Sequence, residues 1–317
     1  MSDVVAIACA DVHLSHTAPQ ARAAEPSWYE AMRRPLAEIA GLSTKHNAAV
    51  LCAGDIFHRW NSPAELINFA AGQMREWYAI PGQHDLAYHS LVDIRRTAYW
   101  TLTETKTIDH LPESQGIPTL MEIPDDTPPR DSCLWGFPWN ADVRPPTEDE
   151  SERADDCLKI ALIHAYIWAN KTTAYPGAPP TSAVPAWRDR LRGYDLAIFG
   201  DNHKPFDAKV GDCRVYNCGG LMRRHADEIT HRPSVGLVRA DGTVERHYLD
   251  CSEDKFTDEA QRAGELLRGD DPGMADFIAE LGDLGPESLD FAAAVRRYIE
   301  ETRPPQAVAK LLLEAIE

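Results

Sequence analysis

The sequence predicts an α/β fold followed by a small helical module. Short runs of small and β-branched apolar residues alternate with amphipathic helical segments, an order typical of βαβ units with parallel strands. Several of these runs end in aspartate, histidine or glutamine. Ligands bind at the carboxyl ends of strands in such sheets, so the same pattern also predicts a site. We expect one domain over residues 1–251 and the helical module over residues 252–317.

The first predicted strand, over residues 4–10, leads into Asp11-Val12-His13. Residues i and i+2 of an extended backbone point to the same side, so Asp11 and His13 can reach one ion. Residues 27–42 have helical apolar spacing and predict a crossover helix to a second parallel strand. The alternative interpretation of the segment from Asp11 to His13 is a surface turn.

The second strand ends in a segment that reads Gly54-Asp55-Ile56-Phe57-His58. The missing side chain of Gly54 permits a sharp turn, which presents the Asp55 carboxylate at the end of the strand. Glycine followed by aspartate is also what an ordinary turn needs. The same theme recurs at three later strand ends, and this recurrence favours a site. Those ends carry Gln83-His84-Asp85, His164, and Asp201-Asn202-His203.

Three further segments have informative compositions. Residues 165–192 are mostly irregular but contain four aromatic residues, so we expect an ordered lid over the site. Residues 144–156 are polar and acidic, which predicts a solvated loop. Basic residues concentrate at 221–225 and 231–232, where either a solvated face or a contact with phosphate is expected.

Composition excludes several classes of protein. The longest apolar runs have the length of strands and the first residues lack a signal-peptide pattern, so we expect a cytoplasmic protein without a membrane span. The seven cysteines include no C-x-x-C pair, which argues against a disulfide framework or zinc ribbon. Residues 250–317 contain 17 acidic and 7 basic residues and carry −10 of the net charge of −18. The remainder of the chain can therefore form a local basic path for nucleic acid.

The polar residues at the strand ends are oxygen and nitrogen ligands without thiolates, a set that suits Mn²⁺, Fe²⁺ or Zn²⁺. Several carboxylates are present, so one of them, Asp55, can bridge two ions. Paired ions stabilise the attacking and leaving oxygens of a phosphoryl displacement. The full set is Asp11, His13, Asp55, Gln83, His84, His164, Asp201 and His203.

The order D-x-H, G-D-x-x-H, G-x-H-D, H and G-x-x-H resembles the calcineurin-like metallophosphoesterase superfamily over residues 4–250. The segment from Gly54 to His58, the final hairpin and the helical addition are most similar to the SbcD-type nuclease subunit of double-strand-break repair complexes, including phage versions. This resemblance implies a β-sandwich of mixed sheets flanked by helices. It also implies exonuclease and endonuclease activity on DNA, with an SMC-like ABC ATPase subunit or a second copy of the chain as partner.

The resemblance also implies roles for individual residues. One divalent ion would be held by Asp11, His13, Asp55 and His203, and a second by Asp55, Gln83, His164 and Asp201. Mn²⁺ is expected first, with Fe²⁺, Zn²⁺ and Mg²⁺ as alternatives. His84, kept close by Asp85, would protonate the leaving oxygen or stabilise the phosphate, and His58 would touch the substrate. The family usually has Asn at position 83 and His at position 201, so we expect an altered second metal position.

Two other functions remain compatible with the sequence. The first is a phosphatase or phosphodiesterase of small nucleotides, which would hydrolyse bis-p-nitrophenyl phosphate without cleaving oligonucleotides. The second is a weakly active or non-catalytic scaffold of the same fold, which the two altered ligand positions favour. Failure to bind any divalent ion would support the scaffold.

Overall fold

The computed structural model describes residues 4–75, 77–111, 119–121, 132–154 and 157–268. The chain divides into two compact units, residues 1–264 and 265–317. The helices predicted within residues 273–316 lie outside the described residues, and the domain boundary predicted after residue 251 stays a prediction. No helix in the described ranges is long and apolar enough to cross a membrane.

The described residues of the first unit form two six-stranded mixed sheets. In chain order the strands are β1 (Val4–Cys9), β2 (Ala49–Cys52), β3 (Trp77–Ala79), β4 (Ile108–His110), β5 (Thr119–Met121), β6 (Ser132–Phe137), β7 (Leu158–His164), β8 (Leu196–Gly200), β9 (Phe206–Val210), β10 (Cys213–Asn217), β11 (Ser234–Arg239) and β12 (Val244–Tyr248). The first sheet has the order β12-β11-β1-β2-β3-β4 and the second β5-β6-β7-β8-β10-β9. In each sheet four neighbouring strands are parallel and the remaining strands are antiparallel.

Helices flank these sheets, as the sequence predicts. The described ones are α1 (Trp28–His46), α2 (Ala64–Gln73), α3 (Ala98–Glu104), α4 (Glu148–Arg153) and α5 (Asp258–Arg268). Helix α1 begins after Ser27, whose hydroxyl accepts the Glu30 N–H, and ends at Asn47 in the left-handed conformation. Both ends follow the chemistry of helix caps, in which a short polar side chain satisfies free N–H groups and a left-handed residue stops the helix.

Successive residues of the central strands face opposite sides of the sheet, and both sides are apolar. This pattern explains why the two sheets pack face to face. In β1, Ala6 and Ala8 belong to the apolar layer between the sheets, whereas Ile7 and Cys9 pack in the layer that includes α1. The small alanines permit close approach, and successive strand residues point to opposite faces. The sheets approach each other closely near Gly200, where an added Cβ would lie 2.3 Å from the Ala53 carbonyl oxygen. The ends of β2 and β8 therefore meet at one edge of the sandwich.

The solvated loop predicted over residues 144–156 is wrong for residues 148–153, which form α4. The Thr147 hydroxyl accepts the Glu150 N–H, and the Glu150 carboxylate accepts the Thr147 N–H in return. This reciprocal cap is a known signal for the start of a helix. Glu150 is also buried and receives two hydrogen bonds from Arg144. A paired charge, not apolar spacing, fixes this helix to the segment that precedes it.

The segment 165–192 is irregular, as predicted, and it is anchored to the second sheet. Ile167, Val184 and Trp187 are buried in the apolar cluster that covers β7 and β8. The Asn202 side chain donates hydrogen bonds to the carbonyl groups of Ile167 and Thr173. Asn202 immediately follows Asp201, so the segment is fixed directly to one of the predicted metal-binding turns.

Candidate metal centre

The backbone beyond β1 and β2 holds the first predicted ligands in place. Asp11 N–H donates to the Gly54 carbonyl at 3.0 Å, and His13 N–H donates to the Asp55 carbonyl at 2.9 Å. Asp11, His13 and Asp55 all have left-handed backbone conformations, with φ of 51°, 48° and 55°. Non-glycine residues seldom adopt this conformation, and such strain concentrates at functional sites. The two segments thus continue to pair after the strands end, which turns three side chains toward one point.

Gly54 is required at the start of this turn for two reasons. Its φ is +97°, a conformation that side chains rarely tolerate. A Cβ at this position would also lie 2.2 Å from Nδ1 of His164, which comes from the opposite sheet. Glycine therefore permits the imidazole of His164 to approach the Asp55 turn.

A first group of ligands consists of Asp11, His13 and His203, whose donor atoms all lie within 4.8 Å of one another. The Nε2 atoms of His13 and His203 are 3.1 Å apart, and His13 Nε2 is 3.7 Å from Asp55 Oδ2. Ligands at about 2.1 Å from a shared ion are separated by roughly 3 Å or slightly more. Asp55 Oδ2 is buried and has no hydrogen-bond partner among the described residues. These donors therefore fit a divalent cation.

A second group consists of Asp11, Asp55 and His164. His164 Nε2 is 3.5 Å from Asp55 Oδ2 and 2.6 Å from Gln83 Oε1. The Gln83 amide nitrogen in turn donates to Asp201 Oδ1 at 2.8 Å. The Asp201 carboxylate belongs to none of the ligand groups found in the described residues and connects to them through Gln83. Its role as a direct ligand stays a prediction.

His58 and His84 line the same centre. Their rings stack with centroids 5.3 Å apart, and together with His13 they form a third group of potential ligands. His84 Nδ1 lies 3.0 Å from the His58 carbonyl oxygen, and the His84 N–H donates to Asp55 Oδ1 at 2.9 Å. A carbonyl only accepts, so the ring proton of His84 resides on Nδ1 and its Nε2 is the atom available for proton exchange.

The structure corrects the expected relation between Asp85 and His84. The buried Asp85 carboxylate accepts hydrogen bonds from the backbone N–H groups of Ile56, Phe57 and Gly82 at 2.9–3.1 Å. It thereby ties the Asp55 turn to the Gln83 turn, while the His58 carbonyl orients the His84 ring. Asp85 is a positioning residue in this geometry.

Burial and mutual attraction set the charges in the centre. Burial raises the pKa of Asp11 to about 7 and lowers the pKa of His13 well below its usual value. Burial also disfavours charge on His164, but attraction to Asp55 outweighs it and raises the His164 pKa to about 10. Burial alone would raise the pKa of Asp55, but attraction to His164 and His13 outweighs this effect and lowers it. A cation bound here displaces these protons, so metal loading should release protons and weaken at low pH.

Sequence reasoning missed the loop that supports the histidines. The buried Arg224 side chain donates to the His13 carbonyl and to the Ser15 hydroxyl. Glu228 accepts the Arg224 and His225 N–H groups, and its Oε1 lies 3.4 Å from His203 Nδ1. Imidazole ligands of metals commonly donate their second nitrogen to such a carboxylate. In the sequence, the position of Glu228 three residues after His225 is the only local signal that this carboxylate supports the loop.

The predicted basic cluster around residues 221–225 is neither a solvated face nor a contact surface for phosphate at Arg223 and Arg224. Arg223 pairs with Asp254 at 3.0 Å and donates to the Ile229 and Cys251 carbonyls. Arg224 is only 5% exposed. Both guanidinium groups are therefore committed to holding the chain together.

A cleft of about 840 Å³ opens beside the centre at His58. It is bounded by residues 14–21, 58–59, 61–63, 224–226, 257 and 259–260. The exposed side chains of His16, Arg59 and His225 line it, and Glu259 is the one acidic residue among the described lining residues. The cleft is thus less acidic than the protein as a whole.

A two-sheet α/β sandwich with aspartate and histidine ligands gathered at its strand ends is typical of metal-dependent hydrolases. A model of the calcineurin-like phosphoesterases matches residues 5–205, and the chain belongs to this family of hydrolytic enzymes. The family uses dinuclear divalent metal centres.

Solved structures provide two further comparisons, both at 12% sequence identity. A protein described as a 5′-nucleotidase from Staphylococcus aureus, solved with alpha-ketoglutarate, has a TM-score of 0.45 and covers 83% of this chain. The sulfate thiohydrolase SoxB from Thermus thermophilus, solved with glycerol, has a TM-score of 0.46 and covers 84%. The alignments span 57% and 61% of those chains. No curated protein matches the sequence.

Proposed function

We propose that this metallophosphoesterase hydrolyses phosphodiester bonds in DNA, as an SbcD-like exonuclease and endonuclease. The observation that supports this most is the cleft beside His58, which is large enough for part of a strand and is lined by Arg59, His16 and His225. The positive charge of Arg59 attracts the phosphate backbone, and the cleft brings that backbone to the metal centre. The similarity of the Gly54–His58 segment to SbcD-type nucleases supports the same substrate.

The residues that would hold the first ion are Asp11, His13, Asp55 and His203. Asp55, His164, Gln83 and Asp201 would contribute to a second ion, and Mn²⁺ suits this mixed set. Bound divalent ions supply Lewis-acid stabilisation of negative charge on the phosphoryl oxygens. His84, oriented by the His58 carbonyl, exchanges a proton with the leaving oxygen through Nε2. His58 lies at the junction of the centre and the cleft, where it contacts the substrate.

The proposal is tested by incubating the purified full chain with Mn²⁺ and end-labelled single-stranded or double-stranded DNA. We expect shortened products that require the metal and disappear on addition of EDTA. Hydrolysis of bis-p-nitrophenyl phosphate and of nucleotides without cleavage of either DNA would instead identify a small-molecule phosphodiesterase. Binding of no divalent ion, measured by elemental analysis, would identify a scaffold.

We further propose a cytoplasmic location and an assembly with an SMC-like ABC ATPase subunit or with a second copy of the chain. All seven cysteines are free and six of them are buried, which suits a reducing compartment. Co-purification of the tagged chain with an ABC-type ATPase from its native cells tests the first partner. Recovery of the chain without any ATPase would contradict it.

A further inference from the structure

Tyr88 is the exposed aromatic residue nearest to the metal-binding turn in sequence. Its side chain is 74% exposed, although it follows the buried residues Leu86 and Ala87. A single exposed apolar residue is common on protein surfaces, so the case for Tyr88 depends on its backbone and its neighbours. The turn that carries it starts at Gln83 and His84, two residues of the candidate centre.

The backbone at Tyr88 is held in an unusual conformation. Tyr88 and His89 are consecutive left-handed residues, with φ of 54° and 57°. Several further left-handed positions in the described chain belong to the candidate centre, namely Asp11, His13 and Asp55, and Asp201 adjoins it. The others are the helix-terminating Asn47, and Lys106 and Asn140. An aromatic residue rarely adopts this conformation, and the observed strain is a reason to look for a function.

Local contacts fix this strained turn to the site. The His89 N–H donates to the Leu86 carbonyl at 3.2 Å, and His89 Nδ1 lies 3.1 Å from the Gln83 carbonyl oxygen. The Tyr88 ring lies beside Trp60, with centroids 5.9 Å apart and planes tilted by 44°. Trp60 stands between Arg59 and Asn61, which both line the cleft. The pair of rings is therefore adjacent in the chain to the lining of the cleft, through Trp60, and to the turn of Gln83 and His84, through Tyr88.

We propose that Tyr88 stacks on a nucleobase of the substrate, beside the phosphodiester that His84 and its neighbours act on. This inference rests on the proposed function in taking a nucleotide chain as substrate. Every base has a π-face, so one exposed tyrosine binds bases without reading sequence. The rigid turn keeps the ring in place before the substrate arrives, which lowers the entropy cost of binding. Arg59 at the cleft supplies the accompanying contact to phosphate.

Equilibrium binding separates base stacking from attraction to phosphate. The probes are a fluorescent oligothymidylate and an abasic oligonucleotide of equal length and charge, measured by anisotropy with Ca²⁺ present and with gels verifying that the strands stay intact. The unmodified chain should prefer oligothymidylate. Tyr88→Ala should reduce this preference about tenfold, which is toward the low end for stacking on one ring, whereas Tyr88→Phe should retain it. Tyr248→Ala is the matched control, because Tyr248 is an exposed tyrosine on β12.

A glycine variant separates the ring from the backbone. Tyr88→Gly accepts a positive φ without strain, so it should fold like the unmodified chain and still lose the preference for bases. The proposal is overturned if Tyr88→Ala keeps the preference, if Tyr88→Phe loses it equally, or if the unmodified chain binds neither strand. A strand that binds with base preference but is never cleaved would refute the nuclease function and leave the stacking role intact.

Discussion

Five side chains of the candidate centre lie at or just beyond the ends of β1 and β2 in one sheet and of β7 and β8 in the other. They meet at one place because the ends of parallel strands converge at the same edge of a sheet. The strands themselves have clear apolar patterns, so the sequence identifies the five residues as Asp11, His13, Asp55, His164 and His203. The role of Asp85 could not be derived from the sequence, because two of its three backbone partners, Ile56 and Phe57, belong to a turn that is distant in sequence. Glu228 was invisible for the same reason, since its contact with His203 exists only once the loop has folded back.

Asp55 provides the most direct test of the centre. Asp55→Asn removes the charge of a buried oxygen that has no hydrogen-bond partner in the described structure, while keeping the Oδ1 that accepts the His84 N–H. We therefore expect an intact fold and loss of nearly all phosphodiester hydrolysis. Activity is measured against bis-p-nitrophenyl phosphate and DNA, with Asp109→Asn at an exposed position as the control. Retention of more than a few per cent of activity would remove Asp55 from the bridging role.

His84 should affect rate and not metal content. Its Nε2 is free for proton exchange, whereas Nδ1 is engaged by the His58 carbonyl. His84→Ala should lower kcat by about 10²–10⁴, the usual contribution of a general acid or base, with the metal content unchanged. Elemental analysis and steady-state kinetics are compared with those of His247→Ala, a histidine on β12 that pairs with Glu38. A fall in bound metal would identify His84 as a ligand.

At the scale of elements, apolar periodicity predicted the strands and failed where polar contacts determine structure. The central strands β1, β2, β7 and β8 lie where their apolar runs indicated. Helix α4 was assigned to a loop because Glu150 is anchored by Arg144 and by the cap at Thr147, with little apolar spacing to reveal it. The basic cluster was misread because the acidic partner of Arg223 is Asp254, far along the chain.

The loop after β10 that carries Arg224 and Glu228 should act on metal affinity through the histidines it supports. Glu228→Ala removes the carboxylate beside His203 Nδ1 and frees two backbone N–H groups that it caps. We expect metal affinity to fall about 10–100-fold, as is usual for such supporting carboxylates. Calorimetric titration with Mn²⁺ measures this, and the neighbouring exposed Asp227→Ala is the control. Equal affinity in both variants would show that Glu228 is not a positioning residue.

At the scale of the whole molecule, residues that follow β12 form ion pairs with residues near the start of the chain. Asp254 pairs with Arg22, Arg34 and Arg223, at 2.7–3.0 Å, and the buried Arg22 also donates to the Arg223 and Lys255 carbonyls. These contacts join the turn before α1, the first half of α1, the loop that carries Arg224 and Glu228, and the segment after β12. Residues near 254 are consequently part of the first unit, whatever the remaining C-terminal residues do.

Two truncated chains distinguish the stabilising effect of these ion pairs from any effect of the acidic segment that follows. Ending the chain after residue 251 removes Asp254 and leaves buried arginine charge less compensated, which costs about 3–5 kcal/mol for a broken buried pair. The melting temperature should drop by roughly 6 °C or more. Ending the chain after residue 268 keeps Asp254 and every described ligand, so thermal stability of the first unit and hydrolysis of short single-stranded DNA should both survive. Equal melting temperatures for the two truncations would refute the stabilising role of these ion pairs.

The truncation after residue 268 also tests what the last residues bind. Residues 269–317 contain 11 acidic and 4 basic residues, so they repel phosphate within a Debye length of about 8 Å at physiological salt. They also contain apolar residues that are suited to packing against another protein chain: Phe277, Ile278, Phe291 and Leu311. We expect the full chain to sediment as a dimer and the truncated chain as a monomer, with equal affinity for DNA. A truncated chain that still dimerises but loses DNA affinity would make this segment part of the nucleic-acid site.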